Sequence, residues 1–169
     1  MTTPLAQLAA QLQDLAIARG ATVSSAESCT GGNIAHQITS ISGSSEYFKG
    51  SVVSYANDVK HRVLGVPADV LENPGAVSEP CARAMVEGVR GVIGTDFAVS
   101  TTGIAGPLGG TERKPVGLVY IGVASTEHRI VEEHVFSGDR AAVIESATRR
   151  ALELLIHAIS AQEYPTGNH

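Results

Sequence analysis

Between Gly43 and Lys60 the chain carries two adjacent serines, Ser44 and Ser45, then Tyr55 and Lys60 within one short passage. A serine hydroxyl is a weak nucleophile until a base removes its proton, and a lysine is a base only when neutral. At an ordinary pKa near 10.4, roughly one lysine in 2,500 is neutral at pH 7. A working serine–lysine pair therefore needs a site that lowers the lysine pKa by burial or nearby positive charge. Lys60 stands at the start of a helix expected over Val59–Leu64, capped by Asn57 or Asp58 and stopped by Gly65 and Pro67. The positive end of a helix dipole disfavours an ammonium there. The local pattern is equally met by a solvated surface lysine.

Two further stretches could meet this passage. Glu27-Ser28-Cys29-Thr30-Gly31-Gly32 follows a short expected strand, Ala21–Ser25, whose hydroxyl content makes it a modest one, and leads into a helix over Asn33–Ile38. This strand–polar turn–helix order presents backbone N–H groups at a helix N-terminus, a place for an anion or an oxyanion. Plain N-capping by Ser28 or Thr30 fits the same residues. Cys29 at a helix start could also serve as a thiol nucleophile, although no histidine stands at a spacing that would assist it. Past an expected strand at Asp96–Thr102, Gly103-Ile104-Ala105-Gly106-Pro107-Leu108-Gly109-Gly110 is dense enough in glycine for backbone to approach a ligand. It lacks the Gly-Lys-Ser/Thr of a P-loop and the spacing of a dinucleotide fingerprint. Arg140, beside Ser137-Gly138-Asp139 at the start of a long last helix, suits a phosphate or a surface ion pair.

The remaining elements position these residues. Leu5, Leu8, Leu12 and Leu15 recur at helical spacing before Arg19-Gly20, and Ser51–Tyr55 is β-branched and aromatic. One helical turn is expected at Ala68–Leu71, and Ser78 caps a helix whose stripe runs from Ala82 to Ile93. Val116–Ala124 is an apolar run suited to a central strand, paired through a turn at Ser125–His128 with a more alternating edge strand, Arg129–Phe136. The last helix runs inward at Ile144, Ala147, Ala151 and Leu155, with a frayed tail expected from Glu163. Strands alternating with helices, and one hairpin, predict an α/β fold: a three-layer α/β/α sandwich with a mixed, mostly parallel sheet.

Composition bounds the partners. At 169 residues and 43% apolar the chain suits one globular domain spanning residues 1–169. A net charge of −5 without a basic run argues against nucleic acid. Cys29 and Cys81 lie too far apart in sequence for a Cys-x-x-Cys pair, and the six histidines form no metal-binding spacing, so neither metal nor cofactor is expected. No apolar run reaches the length of a membrane span and no signal peptide is evident, which predicts a cytoplasmic protein without a membrane partner.

Ala26–Gly32, Gly43-Ser44-Ser45, Ser54–Lys60, Thr102–Pro107, Lys114–Gly117 and Gly138-Asp139-Arg140 occur in this order. Together they resemble the C-terminal domain of the CinA family, whose stand-alone form is a nicotinamide-nucleotide amidase. The resemblance implies conversion of nicotinamide mononucleotide to nicotinate mononucleotide and ammonia, an α/β/α sandwich, and a homodimer. Carried across, it implies Ser45 as nucleophile, Lys60 as base and Tyr55 as an assisting group. It implies Glu27, Thr30, Gly31, Ser44, Thr102, Gly103, Gly106 and Arg140 around the substrate. The passage Phe48-Lys49-Gly50-Ser51 departs from the family's usual Phe-Glu-Arg-Gly. A non-catalytic nucleotide-binding module is the alternative reading.

Overall fold

The computed structural model describes residues 2–162, so the frayed tail expected from Glu163 lies outside the described residues. Helix α1 (Leu5–Arg19) buries Leu8, Ala9, Leu12 and Ala16 and stops at Gly20, whose φ of 62° permits the left-handed cap. Strand β1 (Val23–Glu27), helix α2 (Asn33–Thr39), strand β2 (Phe48–Val53) and helix α3 (Asn57–Leu64) follow. A short helix α4 (Ala68–Glu72) precedes α5 (Glu79–Val89), which ends in a π-type turn at Arg90–Gly94 where the sequence pattern predicts helix to Ile93. Strands β3 (Phe97–Gly103), β4 (Leu118–Ala124) and β5 (Arg129–Val135) lead to the long helix α6 (Arg140–Ala161).

The five strands form one sheet in the order β2-β1-β3-β4-β5. β1 pairs in parallel with β2 and β3, while β4 runs antiparallel to both β3 and β5. The sheet is thus mixed, with β4 alone reversed. Helices α1, α2 and α6 cover one face around Leu12, Val23, Ile34, Val99, Ile121 and Leu155. Helices α3, α4 and α5 cover the other around Ala26, Leu64, Met85, Val86 and Ala98. This is the three-layer sandwich the alternation of elements predicts.

β1 is central and buried along its whole length despite its two serines and glutamate. It tolerates them because each hydroxyl is partnered: Ser24 lies 2.7 Å from the Thr95 hydroxyl, and Ser25 donates to Ser51 Oγ at 2.7 Å. The unusual Lys49-Gly50-Ser51 passage is part of the edge strand β2, with Ser51 turned toward β1.

Because β2 and β3 lie on opposite sides of β1, the crossovers leaving β1 and β2 diverge at the carboxyl ends of β1 and β3. That is the topological switch point where open α/β sheets bind ligands. Helices α3 and α5 pack closely against each other on one face of the sheet. A Cβ added at Gly88 of α5 would fall within the Leu64 carbonyl at the end of α3. Gly88→Ala is therefore expected to cost about 3 kcal/mol of stability, read as a lowered urea midpoint; an unchanged midpoint would contradict this close approach.

Candidate active site

Ser28 is the first residue past β1, and its N–H donates to the Thr101 carbonyl of the neighbouring β3 at 3.0 Å. Its side chain reaches Lys60. The Lys60 Nζ donates to Ser28 Oγ at 2.9 Å, to the Ser54 carbonyl at 2.8 Å and to the Tyr55 carbonyl at 3.0 Å. Lys60 is the fourth residue of α3 and its side chain runs back toward the helix start, the direction helical side chains take. It is 1% exposed, and among the described residues it forms no ion pair with a carboxylate. Burial pushes its pKa below the ordinary 10.5, only partly opposed by Cys81 and Cys29.

Three acceptors around one nitrogen define the pair's chemistry. A protonated lysine donates to all three. A neutral one can donate to the two carbonyls and turn its lone pair to the third position, where Ser28 Oγ sits. The carbonyls thus aim the base at the hydroxyl.

A cavity of about 290 Å³ opens over this pair. Its walls come from Ser28 and Cys29, from Tyr55, Asn57 and Lys60, from Ala76 and Val77, and from the Thr102–Gly106 and Leu108–Gly109 segments with Arg140. Thr102 Oγ1 donates to the Ala76 carbonyl at 2.8 Å and so ties two walls together. Arg140, the first residue of α6, donates to the Gly106 carbonyl at 2.8 Å and to the Tyr55 hydroxyl at 3.0 Å. Among the described residues that line the cavity, Lys60 and Arg140 are basic and none is acidic. Such a site favours an anionic ligand.

The family model described as the CinA C-terminal domain matches residues 5–159. The chain belongs to this family. It is 52% identical over 146 residues to a CinA-like protein of Salinibacter ruber, covering 86% of this chain and 35% of that protein. It is 48% identical over 147 residues to a CinA-like protein of Geobacter sulfurreducens, covering 84% and 36%. The chain thus spans about a third of the length of the curated relatives it matches. A CinA superfamily protein from Klebsiella pneumoniae superposes with a TM-score of 0.91 at 31% identity, covering 95% of this chain and 100% of that one. The competence/damage inducible protein CihA from Agrobacterium tumefaciens gives 0.90 at 38% identity, covering 95% and 99%.

In this CinA C-terminal domain the residues expected at the site fall into two groups. Lys60, Tyr55, Thr102, Gly103, Gly106 and Arg140 line one cavity. Ser45 and Ser44 do not. They form a short 3₁₀ turn, Ser44–Glu46, just before β2, whereas Lys60 Nζ binds carbonyls just after β2. The six residues of β2 stand between them, a span of about 20 Å at the rise of an extended strand. The pairing of Ser45 with Lys60 is corrected to Ser28 with Lys60.

Glu27, Thr30 and Gly31 also leave the expected substrate-contact set. Glu27 is fully buried beneath the site, Thr30 donates to it at 2.7 Å, and Gly31 supplies a turn with φ of 59°. Nor does Ser28 or Thr30 cap α2, whose cap position is Gly32. Cys29 does line the cavity, yet burial pushes its thiol up to about 12, against the thiolate a cysteine nucleophile needs. In the sequence Ser28 is legible only as a serine in the polar turn between an expected strand and an expected helix, the place where open α/β sheets carry their chemistry. Among the described residues no cluster of His, Cys, Asp and Glu could hold a metal ion, and no helix is long and apolar enough to cross a membrane.

Proposed function

We propose that this chain is an amidohydrolase that converts nicotinamide mononucleotide to nicotinate mononucleotide and ammonia, with Ser28 as nucleophile and Lys60 as base. The observation that carries the reading is the 2.9 Å contact between Ser28 Oγ and a lysine nitrogen that is buried and held by two carbonyls. The likeness to the CinA family supports this choice of substrate, and a cavity with no acidic lining residue and Arg140 at its rim suits an anionic one.

Neutral Lys60 takes the Ser28 proton as Oγ attacks the carboxamide carbon, which the attached pyridinium makes electron-poor. The tetrahedral oxyanion needs fixed donors. Backbone N–H groups of Cys29, Ala105 and Gly106, all lining the cavity, are the candidates. The protonated Lys60 then gives its proton to the departing nitrogen, so that ammonia leaves and Ser28 carries the nicotinoyl ester. Lys60, neutral again, takes a proton from water as the hydroxyl adds to the ester carbon. Collapse returns that proton to Ser28 Oγ and releases nicotinate mononucleotide. Tyr55, whose hydroxyl Arg140 holds, forms the wall beside this centre.

The test is steady-state ammonia release from nicotinamide mononucleotide by the purified chain; absence of turnover would leave a nucleotide-binding module as the better reading. Arg140 adds a sharper arm. A charge-assisted contact to phosphate is worth about 1.5–3 kcal/mol, so Arg140→Ala is expected to raise KM for the mononucleotide by about tenfold or more. The same change should leave KM for nicotinamide riboside, which lacks the phosphate, nearly unmoved. Equal effects on both substrates would remove Arg140 from phosphate recognition.

A further inference from the structure

We infer that Glu27 is a positioning residue whose carboxylate holds the Ser28 turn and whose backbone carries the Lys60 anchor. The inference rests on the Ser28–Lys60 reading and assigns a role to a residue that touches no part of the cavity.

Glu27 is the last residue of β1 and is wholly buried. One carboxylate oxygen accepts from Thr30 Oγ1 at 2.7 Å and from the Ile34 N–H at 2.9 Å. The other accepts from the Ala35 N–H at 3.0 Å, with the Ser25 and Ser51 hydroxyls farther off at 3.4 Å and 3.5 Å. A side chain on the strand therefore satisfies the first free N–H groups of α2, which has no side-chain cap of its own. The segment from Ser28 to Gly32 is a loop pinned at both ends by one residue. Thr30 is held a second time, because its hydroxyl lies 2.8 Å from Thr101 Oγ1, and Thr101 also accepts the Ser28 N–H.

The backbone of Glu27 serves the base. Its carbonyl accepts the Ser54 N–H at 2.8 Å, and the Ser54 carbonyl accepts Lys60 Nζ at 2.8 Å. Nucleophile and base are thus both referred to Glu27, one by the adjacent peptide bond and one through a single intervening residue. Losing the carboxylate frees the turn that sets Ser28 Oγ against Lys60, while the walls that receive substrate (Tyr55, Thr102 and Arg140) keep their own contacts.

Glu27→Gln preserves size but offers one acceptor oxygen where two served. A misplacement near 1 Å can cost about 100-fold in rate, so kcat is expected to fall by about that factor with KM within threefold of wild type. Thr30→Val, which removes the donor to Glu27, should lower kcat in the same direction, and Thr30→Ser should restore it. Circular dichroism is the check that each variant folds, and each is expected to give the wild-type spectrum. The same series is read without substrate, by the rate at which a fluorophosphonate labels Ser28 in intact-mass spectra, and labelling should slow in parallel with kcat. Wild-type turnover with an unchanged kcat in Glu27→Gln overturns the positioning role alone. A raised KM at constant kcat also overturns it and returns Glu27 to substrate contact. Absence of both turnover and labelling in the wild type overturns the amidase reading and the positioning role with it.

Discussion

Ser28→Ala is expected to lower ammonia release from nicotinamide mononucleotide by at least about 10⁴-fold, the scale on which an enzyme loses rate when its nucleophile is removed. The alanine leaves the turn intact, since Ser28 is held through its backbone N–H to Thr101 rather than through its side chain. It also leaves Lys60 its two carbonyl partners, Ser54 and Tyr55. Ligand binding should therefore persist in the dead variant, measurable by calorimetry with the product mononucleotide. Ser45→Ala is the matched control, because that serine sits on an exposed turn at the far end of β2 and should retain rate within about twofold of wild type. A Ser28→Ala protein that releases ammonia at near wild-type rate would end the proposal, and a dead Ser45→Ala protein would return the nucleophile to the other end of the strand.

The contrast between those two serines shows what the sequence could and could not convey. Periodicity located the strands and helices well, and Lys60 at a helix start with Arg140 at another was legible from capping patterns. Proximity along the chain misled. Ser45 precedes β2 and Lys60 follows it, and an extended strand between two residues holds them at opposite ends of a sheet. Ser28 is farther from Lys60 in sequence, yet it follows a strand parallel to β2 and so emerges at the same end. Parallel pairing, which local sequence does not reveal, decides the matter. Glu27 shows the same limit: the family resemblance implies it at the substrate, whereas its carboxylate partners at Ile34 and Ala35 lie in the helix it caps. The two serines of β1 made a central strand look marginal, because their partners Thr95 and Ser51 are distant in sequence.

Lys60→Met should lower kcat/KM by about 10²–10⁴-fold, the usual worth of a positioned base, and should erase a pH dependence that the wild type displays. Burial holds the Lys60 pKa below 10.5, so the neutral, competent form is populated at lower pH than for a free lysine. Wild-type kcat/KM should rise as pH climbs through that lowered pKa, a limb absent from the methionine variant. The same shift has a stability consequence with a definite sign. Between the folded-state pKa and 10.5 the unfolded chain binds the Lys60 proton while the folded chain does not, so ΔG of unfolding increases with pH across that window. Below the folded-state pKa the cost of burying the ammonium is present in full. Thermal melts of wild type and Lys60→Met at a series of pH values should therefore diverge in favour of the wild type as pH rises toward 10.5. A pH-independent difference in melting temperature, together with a rising rate limb that survives in Lys60→Met, would show that the titrating base is another group.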